Sequence, residues 1–91
     1  MIKLSEVLAE LDEKILSDGK QKTFKIKFEK KDGQIVYFNR AVSTGLFGIN
    51  LKEHQMRGIL PVNKELDKID HPYPVKIWNI YEFNGHQVIL K

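Results

Sequence analysis

Two glycine turns, each flanked by alternating apolar residues, constrain this chain more than any other feature in it. Phe24, Ile26 and Phe28 alternate with Lys25, Lys27 and Glu29, the period-two pattern of a strand with one buried face. Lys31-Asp32-Gly33 follows, then Gln34-Ile35-Val36-Tyr37-Phe38. Asp-Gly between two such runs signals a hairpin, because glycine enters the left-handed region without the steric cost of a Cβ. A three-residue loop pairs Lys30 with Gln34, Phe28 with Val36 and Ile26 with Phe38. One face is then Phe24, Ile26, Phe28, Val36 and Phe38; the other is Lys25, Lys27, Glu29, Ile35, Tyr37 and Asn39. A two-residue loop would set Lys27 opposite Phe38 and mix the faces, so the pattern selects the longer loop.

The second turn, Asn84-Gly85, closes a hairpin over 74–91. Val75–Glu82 reads as one strand and His86–Leu90 as its return. A three-residue loop, Phe83-Asn84-Gly85, gathers Trp78, Ile80, Val88 and Leu90 on one face; a two-residue Asn-Gly turn stays open as the alternative. The other face holds Ile77, Asn79, Tyr81, Gln87 and Ile89 and is half apolar, so it needs a cover.

Ahead of the hairpins, Leu4, Val7, Leu8, Leu11 and Ile15 recur at helical spacing. They predict a helix over 5–17, with Ser5 as N-cap and Gly19 as its stop. Between the hairpins, residues 40–73 hold one strand, Gln55–Val62, weakened by Gly58 and ended by Pro61. Residues 43–54 read as a loop with a short helical turn, and Asn63–Ile69 as a capped turn or an exposed loop. The expected fold is a single α+β, mostly β domain over 1–91. A helix packs on a small, highly curved antiparallel sheet, or on an SH3-like or OB-like barrel of about five strands.

Composition sets limits. Ninety-one residues with 42% apolar content form one small core, and the absence of cysteine removes disulfides and thiolate chemistry. The net charge of +3 is uneven. Residues 1–19 carry −3, and residues 20–31, with six lysines against Glu29, carry +5. The acidic helix and the lysine strand either attract each other or the lysines face phosphate. A carboxylate at Glu6 and the lack of a long apolar run predict no signal peptide, no membrane span and a cytoplasmic protein.

The stretch from Phe24 to Gly33, together with Val75-Lys76-Ile77-Trp78-Asn79-Ile80 and the Asn84-Gly85 turn, resembles the opening and closing hairpins of small phage and mobile-element proteins with an SH3-like (Sm-like) β-barrel. The likeness covers about a third of the chain. It implies a small barrel of phage or mobile-element origin and carries no catalytic residues over. The chain departs from that pattern in its longer middle and in His86-Gln87-Val88, where the family tends to carry an aromatic and an arginine.

Catalytic chemistry finds little footing. His54, His71 and His86 lack metal-ligand spacing, and no serine sits in a nucleophile-elbow context. Glu10, Asp12 and Glu13 form a solvated charge run on the helix, with His86 read as a strand residue opposite Glu82. Gly45-Leu46-Phe47-Gly48 has GxxG spacing without the basic residue that would meet a nucleic-acid backbone. No cofactor, metal or small-molecule substrate is expected. The favoured reading is a non-enzymatic interaction module or structural component that contacts a protein or its own copy. Its candidate interface residues are Ile77, Tyr81 and Ile89. The alternative is a nucleic-acid-binding barrel whose contacts are Lys22, Lys25, Lys27, Lys31, Tyr37 and Arg40.

Overall fold

The computed structural model of the chain describes residues 1–13, 22–44, 55–65 and 67–89. In chain order the elements are β1 (Ile2–Lys3), α1 (Leu4–Asp12), β2 (Thr23–Glu29), β3 (Ile35–Thr44), β4 (Met56–Pro61), β5 (Tyr73–Lys76), a 3-10 turn (Ile77–Asn79), β6 (Ile80–Phe83) and β7 (His86–Ile89). Seven strands form one sheet in the order β1-β7-β6-β2-β3-β4-β5. All neighbours are antiparallel except β1 and β7. The architecture is a small α+β fold, mostly sheet, with one N-terminal helix. The sheet is open: its end strands, β1 and β5, do not pair.

The first hairpin has the register that the alternation predicts. Phe28 faces Val36 and Ile26 faces Phe38. The Lys30 amide donates to the Gln34 carbonyl at 2.8 Å, and Gly33 sits at φ +87°. The first hairpin is expected over 22–39; the strand continues five residues beyond it, to Thr44. A bulge at residues 39–40 shifts the pairing so that Phe24 meets Ala41. Ala41, Val42 and Ser43 are buried in succession. Covering both faces removes the alternation by which a strand is read.

Four other expectations are corrected. The helix starts at Leu4, with Lys3 in an extended conformation at its cap position and no side-chain cap. Lys3 is already paired with Ile89, so the chain passes straight from strand to helix and Ser5 falls inside the first turn. The helix ends at Asp12, where the Glu13 amide bonds back to Ala9 and Glu10; the expected stop at Gly19 lies outside the described residues. The strand expected over 75–82 is split by the 3-10 turn, which exposes Trp78 and buries Ile77. The second hairpin uses the two-residue loop, pairing Glu82 with Gln87 and Phe83 with His86, so His86 does not face Glu82. Asn84 and Gly85 both have positive φ, 51° and 82°, as a turn matched to strand twist requires. Leu90 and the GxxG segment lie outside the described residues.

The sheet bends strongly. β5 and β6 stand four strand spacings apart in the order, about 19 Å in a flat sheet. Only a three-residue 3-10 turn, about 6 Å long, joins them. The sheet therefore curls until its β5 end approaches β6. Ring contacts record the same curvature: Tyr73 on β5 lies 6.1 Å from Phe28 on β2 and 5.5 Å from Phe38. Inside the curl, Phe24, Ile26, Phe28, Ala41, Ile59, Val75, Ile80 and Phe83 form the core, with Val7 and Leu11 of the helix packed among them. Lys64, Glu65 and Asp67–Ile69 are exposed, and the Asn63 side chain accepts from the Glu65 and Asp67 amides; Leu66, between them, lies outside the described residues. No helix among the described residues is long and apolar enough to cross a membrane.

Candidate interaction surface

Strand alternation divides the candidate residues between two faces. Opposite the core, the outer face carries Lys25, Lys27 and Glu29 of β2 beside Ile35, Tyr37 and Asn39 of β3, with Lys27 directly across from Tyr37. On the other flank of β2, Lys27 pairs with Glu82 of β6, and a register shift follows before Phe28 meets Ile80. The shift leaves Tyr81 as an extra residue. Its phenol reaches Glu29 Oε1 at 2.7 Å, so Tyr81 joins the outer face. Gln87 and Ile89 of β7 and Lys3 of β1 extend that face toward the sheet edge. A shallow pocket of about 470 Å³ opens there between Tyr81, Glu82, Gly85, Gln87 and Val88.

The cations are partly neutralised. Lys22, just before β2, bonds to Glu10 and Glu13 of the helix and belongs to that junction. Its bond to Glu10 raises its pKa above the ordinary lysine value. Arg57 of β4 reaches Asp12 at 3.0 Å. The acidic helix thus draws on Lys22 and Arg57 rather than on the lysines of the outer face. Lys27 lies 3.2 Å from Glu82, and Lys30 lies 3.9 Å from Asp32 and 5.8 Å from the centre of the Tyr73 ring. Lys25 and Lys31 are exposed, and neither makes an ion pair with a described residue. Arg40 is half-buried at the bulge of β3.

The expected nucleic-acid set therefore comes together only in part. Lys25, Lys27 and Tyr37 share the outer face, Lys31 stands at the hairpin tip, and Lys22 faces the helix. Of the expected protein interface, Tyr81 (37% exposed) and Ile89 lie on the outer face, whereas Ile77 is 8% exposed and is lost to it. Ile35 gains the place that Ile77 loses. It is 53% exposed and Tyr37 51%, the most open large apolar side chains on the described strands. The hairpin register alone put Ile35 on this face; its isolation from any cover is the structural addition.

A second polar cluster lies at the start of β5. The Tyr73 phenol donates to Asp70 Oδ2 at 2.6 Å, and His71 stacks on Tyr73 with ring centres 4.3 Å apart. The bond from Tyr73 holds the Asp70 carboxyl below the usual carboxylate value and raises the phenol. Its role is local: it fixes the bend that delivers Tyr73 to Phe28 and Phe38. Among the described residues no group of His, Asp and Glu is arranged to hold a metal ion. No family model, curated protein or solved structure matches this chain.

Proposed function

We propose that the protein is a small non-enzymatic interaction module or structural component that works by protein–protein contact or self-association through the outer face of β2, β3 and β6. One observation carries the reading: Ile35 and Tyr37 stand side by side, half exposed, on a sheet face where neighbouring charges, Lys27 with Glu82, are already matched. Desolvating matched charges beside an aromatic anchor is the usual composition of a protein interface. The short link between β5 and β6 supports the SH3-like small-barrel form of this module. Phage or mobile-element origin and a cytoplasmic setting belong to the same proposal. Capsid, tail or integrase genes beside the coding sequence check the origin.

Affinity capture tests the interface. The wild type is expected to retain a partner, or its own copy, that the doubly substituted Ile35→Ser/Tyr37→Ser chain releases while its melting temperature is unchanged. Identical captured sets for both chains would defeat the reading. The nucleic-acid reading keeps one observation in its favour: Lys25 shares the outer face with Tyr37 and makes no ion pair with a described residue. Fluorescence anisotropy with single-stranded and duplex oligonucleotides separates the two. Protein contact predicts no binding at low salt. Binding that falls steeply with salt and again in Lys25→Ala supports phosphate recognition.

A further inference from the structure

The Asn84-Gly85 turn carries a chemistry that the interaction surface does not use. Phe83 is the last residue of β6, paired with Ile26 of β2, so Asn84 meets Lys25 next. It does so twice. Its amide donates to the Lys25 carbonyl at 2.9 Å, and its side-chain Oδ1 accepts from the Lys25 amide at 2.9 Å. At φ +51° the backbone has already turned into the bend, and the side-chain carbonyl stands where the ladder would use a main-chain one. The Nδ2 end of the same side chain donates to no described residue. Gly85, which follows, is exposed, and its N–H donates to no described residue. A Cβ built on it would meet nothing within 4 Å, so the turn is open to water.

These are the parts of an intramolecular acyl transfer. Gly85 supplies a nitrogen with no Cβ beside it. Bonding that nitrogen to Asn84 Cγ closes a five-membered ring, so no second molecule has to be held in place. The Lys25 N–H already bonds to Oδ1, the atom on which negative charge gathers when Cγ becomes tetrahedral. The leaving nitrogen, Nδ2, is unbonded on an exposed residue.

We infer that Asn84 is a modification site, deamidated by its own chain in the folded protein. The Gly85 nitrogen, its proton taken by hydroxide, bonds to Asn84 Cγ. The Cγ–Nδ2 bond then breaks, and Nδ2 takes a proton from water and leaves as ammonia. The product is a succinimide. Water opens the ring at Cγ, leaving aspartate, or at the backbone carbonyl, leaving isoaspartate with the main chain routed through Cγ. Either product adds one negative charge and takes the net charge from +3 to +2. The new carboxylate stands beside Lys25, the cation of the outer face that makes no ion pair with a described residue.

Peptide mapping by mass spectrometry and isoelectric focusing test this on the full chain at mildly alkaline pH. The same chain unfolded in guanidinium chloride is the reference. Asn84 is expected to convert in the native chain at least as fast as in the unfolded one, with an acidic shift of one charge. Asn63 is the internal control. Its side chain also accepts from amides, those of Glu65 and Asp67, but Lys64 follows it and crowds the nitrogen, so it stays intact. Asp32-Gly33 has no side-chain amide to lose and gives no shift. Asn84→Asp starts at the shifted position and moves no further. Conversion of Asn84 that is slower in the native chain than in the unfolded one, or conversion of another asparagine first, overturns the proposal. An acidic shift that persists in Asn84→Asp overturns it as well.

Discussion

Single side chains on the outer face can be read by their protons. Tyr81 donates to Glu29, and the bonded carboxylate raises the phenol above its ordinary value of 10.0. A raised phenol contributes stability that is complete below the unfolded pKa and is lost as pH rises through the folded one. Spectrophotometric titration should therefore lose a component ionising above pH 10 in Tyr81→Phe, leaving the lower part of the curve in place. Loss of a component at or below 10 would contradict the bond. Gly58 tests close packing. A Cβ there would run into the Thr44 carbonyl oxygen across the β3–β4 pair. Backbone cannot step aside as a flexible side chain can, so Gly58→Ala should lower unfolding free energy by about 1–3 kcal/mol in urea titrations. The glycine that weakens β4 by propensity is thus required by its neighbour.

At the level of elements, the two hairpins behave differently under the same reasoning. In the first, apolar residues fall on one face and select one register. In the second, the strand was expected to run without interruption from Val75, so Trp78 and Ile80 were assigned to a single face. The 3-10 turn at Ile77–Asn79 breaks that alternation. Once Trp78 leaves the sheet, with its indole nitrogen donating to Gln55 at 3.2 Å, nothing favours a three-residue loop over Asn-Gly. β1 was too short to show any period, and buried residues 41–43 showed none. Of the candidate surface, the sequence pattern placed Lys25, Lys27, Ile35 and Tyr37 together. Tyr81 reached them only through a register shift, which composition does not encode. The turn itself is testable. Gly85→Ala should cost about 1–2 kcal/mol in thermal or urea unfolding, because a Cβ is strained at its positive φ.

For the whole molecule, the uneven charge resolves into two jobs. The acidic helix is tied to the sheet by Lys22 with Glu10 and Glu13, and by Arg57 with Asp12. Lys22→Met should lower stability by no more than about 1 kcal/mol, with the difference shrinking in molar salt. Lys25 and Lys27 stay on the outer face, interleaved with Glu29 and Glu82. Hydrogen exchange resolved to single amides, measured on dilute and concentrated protein, tests contact through the outer face most directly. Self-association there predicts that Val36 and Phe38, whose amides turn toward β2, are protected at both concentrations, whereas the amides of Ile35 and Tyr37 exchange freely when dilute and more slowly when concentrated. Protection of those two amides that does not change with dilution, or their free exchange at every concentration, would contradict self-association.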